Sequence, residues 1–350
     1  MNSNSSHVTV LSEVHPGTCV DVRRCRLADA SVLPRSEKMK AAGVPTVRSV
    51  VLFLGLSMLT SAAPGEDFNA MKAEKVAGGF QFTEGPVWNR AGYLLFCDIP
   101  ANILYKWIPA AEKAETGAKE VFRQPSGKAN GLTYDRKGRL IACEPANRRV
   151  SRTETNGTIV AIAETYQGES LKSPNDVVAR RDGTIYFTDP PHVPHGEKRE
   201  FKSERVFRIS PEHELSVLVN DFDRPNGIAL SPDEKTLYVS DTARKHVRAF
   251  VLRRDGSAGD GRVFAELKSD QPVGPDGMKV DVKGNLYVAG PGGVWVFDKA
   301  GQHLGTIPVP ETPANCAFGD RDFKTLYITA CTSIYKVRLP YAGYGTYRVR

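Results

Sequence analysis

From residue 84 onward the chain is written in short runs in which apolar and polar residues alternate, as in Leu237-Tyr238-Val239-Ser240-Asp241. Alternation with a period of two places successive side chains on opposite faces of a sheet and predicts strands rather than helices. Gly, Pro and β-branched residues interrupt every window long enough for an amphipathic helix. The runs are not independent of one another. Six copies of one pattern follow in series, each opening on a polar head: Glu84, Asn130, Asn175, Asn226, Asp276 and Asn315. Successive heads are 46, 45, 51, 50 and 39 residues apart, the period of a β-propeller blade and too long for most helical repeats.

Inside each copy the head leads into a short apolar strand, a turn such as Lys137-Gly138, Asp182-Gly183, Pro232-Asp233 or Lys283-Gly284, and a second strand, which together predict a β-hairpin. Third strands are expected at Val247–Leu252 and Val294–Asp298, and a fourth at Arg262–Leu267. Four antiparallel strands per copy make one blade, so the expected fold is an all-β, six-bladed propeller. Lys75–Phe82, ahead of the first head, should add an outer strand to the last blade and close the ring, leaving only short sheet edges. Tyr186, Tyr238, Tyr287 and Tyr327 recur at one strand position and are expected to pack between blades.

A propeller whose six inner strands start alike gathers its six heads at one end of the axial channel. All six are carboxylates or carboxamides. Oxygen donors without Cys or His suit a hard divalent cation, Ca²⁺ first, with Mg²⁺ or Mn²⁺ as alternatives and Zn²⁺ the least natural. The competing reading is that Asn-Gly and Asp-Gly merely make turns. Against it, the hairpin turns already fall on other residues, and Glu84 and Asn315 are not followed by comparable turn formers.

The motifs Glu84-Gly85-Pro86, Ser173-Pro174-Asn175-Asp176, Arg224-Pro225-Asn226-Gly227 and Pro275-Asp276-Gly277-Met278 resemble those of the gluconolactonase and regucalcin-like family of six-bladed propellers, over about residues 75–340. The resemblance implies metal ligation by Glu84, Asn175, Asn226 and Asp276, and hydrolysis of a small sugar lactone, with Asp276 also serving as the base. That chemistry suits the residues: a cation polarises the carbonyl while Asp276 takes a proton from water. Asn130 is then a candidate substrate contact, and Asn315 a structural member of the ring. Ser173 and His192 depart from residues seen in some relatives, so the substrate should be held differently here. His192 and His195 lie on the loop Asp189–Gly196, where either could touch substrate or simply be solvated. The longer stretch Asp189–Arg205 is expected to set substrate preference from the rim. Two other functions compete: phosphotriester hydrolysis at the same site, and a non-catalytic propeller that binds peptide or glycan. A binding platform would not need Glu84 and Asp276 facing two amides.

The N-terminal region has its own character. Met39-Lys40, Arg48, the apolar run Val50–Thr60 and the small residues Ser61, Ala62 and Ala63 have the layout of a secretory signal peptide over 39–63, with cleavage near Ala62. The apolar run is short for a membrane anchor, so the expected location is secreted or periplasmic, with no stable membrane span after cleavage. Residues 1–38 precede an initiator-like Met and are expected to be non-native or disordered, and 64–350 to form a single domain. Residues 1–63 carry seven Lys/Arg against four Asp/Glu, so removing them lowers the net charge from +7 to +4. Without a basic block this mild excess requires no nucleic-acid partner. A small-molecule lactone is the expected partner, and a monomer the expected state. Of six cysteines, Cys19 and Cys25 fall before residue 63, which leaves Cys97, Cys143, Cys316 and Cys331. None has CxxC spacing, which argues against a zinc-thiolate site. Cys316 and Cys331 are the expected disulfide pair, if one forms, because they fall at the open end of one predicted hairpin.

Overall fold

The computed structural model describes residues 66–110, 117–191 and 204–345. The leader, residues 1–38, His192 and His195 lie outside these, as does most of the stretch from Asp189 to Arg205. Six four-stranded antiparallel sheets follow one another. From the axis outward, blade one holds Thr83–Asn89, Tyr93–Asp98, Ile103–Ile108 and Ala118–Arg123; blade two Leu132–Tyr134, Leu140–Glu144, Arg149–Thr153 and Ile159–Ala163. Blade three holds Val177–Ala179, Ile185–Asp189, Glu204–Ile209 and Leu215–Phe222; blade four Pro225–Leu230, Thr236–Asp241, His246–Leu252 and Ala258–Glu266. Blade five comprises Met278–Val280, Leu286–Gly290, Gly293–Phe297 and His303–Pro308, and blade six Pro313–Gly319, Thr325–Ala330 and Ser333–Arg338. The outermost strand of blade six is Glu74–Gly78, which pairs antiparallel with Ser333–Arg338. This N-terminal strand closes the ring as the sequence indicates. The fourth strand of blade four begins at Ala258, four residues earlier than expected, because Ala258–Gly261 pairs with the third strand despite its two glycines. Helix among the described residues is confined to the 3₁₀ turns Phe68–Ala70 and Pro145–Asn147, and none is long and apolar enough to cross a membrane.

The turns form as their residues dictate: Gly138, Gly183 and Gly284 have φ of 78°, 102° and 89°, a left-handed backbone that glycine adopts without penalty. The core lies between blades. Ala229, Tyr238, Val247 and Phe264 of blade four pack on Met278, Val280 and Val288 of blade five. At the seam between the last and first blades, Tyr327 stacks on Trp88 with centroids 5.3 Å apart, a pairing worth about 1 kcal/mol beyond area burial. Tyr186 reaches from blade three to donate to the Gly256 carbonyl at 2.9 Å. The recurrent tyrosines are therefore packing residues.

One expectation fails. All four described cysteines are buried free thiols. Cys316 lies opposite Ile328, three residues short of Cys331, which places the two about 10 Å apart along the strand and beyond the reach of a disulfide. Burial pushes the Cys316 thiol up to about 12 and raises those of Cys97 and Cys143 well above the usual range, which removes thiolate reactivity.

Beyond blade six the chain crosses the propeller at the end away from the heads. Gly343 bridges Asp281, the Tyr344 N–H donates to Val280 O at 2.8 Å, and the Tyr344 hydroxyl donates to Glu234 Oε1 at 2.8 Å. Tyr344 and Gly345 line a cavity of about 110 Å³ together with Val87, Thr133, Val178, Ala229, Lys279 and Phe318, one residue from each inner strand.

Candidate active site

The six heads meet at the opposite end of the axis, and the reason is written in the glycine that follows four of them. A methyl group on Gly85 would lie 1.7 Å from the Asn130 carbonyl oxygen, and one on Gly131 2.4 Å from Asp176 Oδ1. On Gly227 it would lie 2.2 Å from Asp276 O, and on Gly277 1.9 Å from Asn315 Cγ. Each glycine thus lets its blade's head press against that of the next blade. Gly131, Gly227 and Gly277 do not have positive φ. Their glycines serve close approach, and the turn explanation of Asn-Gly and Asp-Gly fails for these three. Between blades three and four, Thr188 Oγ1 donates to Asn226 O at 2.7 Å. Between blades six and one, Asn315 Nδ2 donates to Glu84 Oε2 at 3.1 Å, which closes the circle.

Glu84, Asn130, Asn175, Asn226 and Asn315 are buried, and Asp276 is half-buried. Glu84 Oε2 accepts from the Gly85 N–H at 2.7 Å as well as from Asn315. Burial, then the charge of Asp276, raise the Glu84 carboxyl well above the usual carboxylate range. Asp276 is raised in turn by burial; Arg224 opposes the shift, while Asp176 adds to it. The Asn226 side chain donates to Thr242 Oγ1 at 3.1 Å, and that hydroxyl donates to Pro275 O at 2.8 Å. Asn226 is thereby tied to the residue preceding Asp276. Asn315 is the donor that orients Glu84.

Asp176 was not singled out by the sequence reading. It stands where four other copies have glycine and is 2% exposed; it accepts from Val177 N at 2.9 Å and from Ile228 N of blade four at 3.4 Å. Burial raises its carboxyl, and Lys279 is the principal opposing charge. The departure from glycine in Asn175-Asp176 was the available signal. The far-end cavity has Lys279 as its one charged lining residue and no carboxylate.

No three His, Cys, Asp or Glu side chains among the described residues converge tightly enough to hold a metal by themselves. A cation here would need amide oxygens beside the carboxylates. The donor set meets that requirement: the half-buried Asp276 lies near the buried Glu84, and no cation stands among the main influences on Glu84. A dication would supply the missing positive charge.

Residues 82–332 match the family model described as the SMP-30/Gluconolactonase/LRE-like region. The chain belongs to this family. The gluconolactonase of Zymomonas mobilis is 34% identical over 293 residues, spanning 76% of this chain and 80% of that protein. The solved structure of a gluconolactonase from Xanthomonas campestris is 35% identical with a TM-score of 0.68, covering 76% of this chain and 89% of that one. A calcium-binding regucalcin from Agrobacterium tumefaciens, 20% identical with a TM-score of 0.66 over 80% of this chain and 98% of its own, shares the fold. Membership of the SMP-30/gluconolactonase/LRE-like family bears out the resemblance drawn from the four head motifs.

Proposed function

We propose that the protein hydrolyses a small sugar lactone such as gluconolactone, using a divalent cation held by Glu84, Asn175, Asn226 and Asp276. The observation that carries this reading is the pair of carboxylates, buried Glu84 and half-buried Asp276, with raised pKa values among amide oxygens at one mouth of a propeller of this family. The relatives named gluconolactonase support the substrate class. When bound, the cation supplies Lewis-acid polarisation of the lactone carbonyl. Calcium is the first choice for an all-oxygen set.

Asp276 performs the proton transfer. As water adds to the carbonyl carbon, its proton passes to a carboxylate oxygen of Asp276. The ring C–O bond then breaks and the departing alkoxide takes that proton back, which gives the hydroxy acid and regenerates the base. Glu84, oriented by Asn315, would be one of the two carboxylates that hold the cation, and Asn130 contacts substrate at the mouth. His192 would be a further substrate contact. The test is continuous titration of acid released from glucono-δ-lactone, with chelator and then with Ca²⁺ restored. Loss and recovery of hydrolysis are expected; full hydrolysis in chelator would overturn the metal-dependent reading.

A further inference from the structure

The segments that deliver the heads are held by an arrangement that recurs in three blades. In blade one, Asp98 accepts from Gln81 N at 2.9 Å and Phe82 N at 3.2 Å, the residues three and two before Glu84. In blade three, Asp189 accepts from Lys172 N at 3.0 Å and Ser173 N at 2.7 Å, three and two before Asn175. In blade four, Asp241 accepts from Asp223 N at 2.9 Å and Arg224 N at 3.1 Å, three and two before Asn226. Each acid ends the second strand of its blade and is at most 3% exposed. The same carboxylate therefore grips the same two amides in the three blades that carry Glu84, Asn175 and Asn226. Two buried charge-assisted bonds fix a backbone far better than solvated ones.

We propose that Asp98, Asp189 and Asp241 are positioning residues that set the placement of Glu84, Asn175 and Asn226 in the axial ring, an inference that rests on the cation-binding reading above. The three are not equivalent. Blades one and four carry a further bond across the same junction, Ile99 N to Phe82 O at 3.1 Å and Thr242 N to Arg224 O at 3.0 Å. Blade three has Pro190 at that place, which has no N–H to give. Asp189 is therefore the residue on which its head depends most.

The experiment measures Ca²⁺ affinity by calorimetry on the full chain, with urea unfolding of the same samples. Asp189→Asn keeps one acceptor oxygen but presents an amide group to the other N–H. It is expected to weaken binding about tenfold or more, in the range typical of groups that orient metal ligands. Asp98→Asn and Asp241→Asn should weaken it less. Asp135→Asn is the control: Asp135 also accepts from two backbone N–H groups, Lys137 and Arg139 at 2.9 and 3.0 Å, but at the far end of blade two, and its loss should leave affinity unchanged. In the wild-type protein the amides of Lys172 and Ser173 should be protected from hydrogen exchange without added metal. Affinity within twofold of wild type for Asp189→Asn, an equal loss for Asp135→Asn, or unprotected amides at 172 and 173 would each overturn the inference. Asn175→Ala separates the two levels: if it binds Ca²⁺ like the wild type, the ring itself is misread and the inference falls with it. If it fails to bind while Asp189→Asn binds normally, the positioning role alone is wrong.

Discussion

Replacing Gly227 by alanine tests whether the head glycines exist to bring the blades together. The added methyl would sit 2.2 Å from Asp276 O and 2.7 Å from Gly277 Cα. Reaching an ordinary contact of 3.4 Å requires the two backbones to part by about 1.2 Å. The obstructing atoms are main chain and cannot rotate aside. They are fixed by Asp276 N to Ala289 O and Ala289 N to Gly277 O, both 2.9 Å, and by Gly277 N to Ala314 O at 2.8 Å. Overpacking of this kind costs about 1–3 kcal/mol, and stretching one buried backbone bond adds about 1 kcal/mol. A loss of about 2–4 kcal/mol is expected in urea unfolding, with Ca²⁺ affinity reduced as Asp276 moves from Asn226. Gly259→Ala is the matched control: its nearest neighbour would be 3.7 Å away, so it should be neutral or stabilise by a few tenths of a kcal/mol. A Gly227→Ala protein within about 0.5 kcal/mol of wild type would refute the close-approach argument.

Four other outcomes are expected. Asp276→Asn should abolish most lactone turnover while circular dichroism and unfolding show an intact fold; unchanged turnover would move the base elsewhere. Asp189 is pushed up to about 6 from 3.8, by burial against the opposing N–H bonds of Lys172 and Ser173. Its protonation therefore favours the folded chain: this stabilisation, about 3 kcal/mol, is complete below about pH 4 and lost as pH rises through about 6. The stability of wild type relative to Asp189→Asn should accordingly fall between pH 4 and 7, and a constant difference would contradict it. Trp88→Ala should cost about 3–5 kcal/mol, measured by urea unfolding, because it opens the Trp88–Tyr327 seam that joins the first and last blades. Thiol titration of unreduced, unfolded protein containing residues 66–350 should find Cys97, Cys143, Cys316 and Cys331 all free, whereas two reactive thiols would reinstate the disulfide.

The architecture was legible because a propeller writes one supersecondary unit six times, and both the polar heads and the closing N-terminal strand repeat or complete that unit. The purpose of the head glycines was not legible, since the pressing atoms of Asn130, Asp276 and Asn315 come from the neighbouring blade, 45, 49 and 38 residues away in sequence. Asp98, Asp189 and Asp241 stand out as strand-ending acids, yet nothing in the sequence pattern links them to the amides they grip, 16 to 18 residues earlier in the chain. Asp176 was hidden for a similar reason: the N–H groups that donate to it, on Val177 and Ile228, and its counter-charge Lys279 lie on three different blades. The cysteine expectation failed on register, which places Cys316 opposite Ile328 rather than Cys331. His192 and the rim stretch beyond Pro191 fall outside the described residues.

The most direct test of the axial ring counts divalent cations per chain and lactone turnover together, in wild type and in Glu84→Gln, Asn175→Ala, Asn226→Ala and Asp276→Asn. One ion per wild-type chain is expected, with affinity and hydrolysis falling together in all four variants. Wild-type hydrolysis by a chain that carries no divalent cation would contradict the central claim.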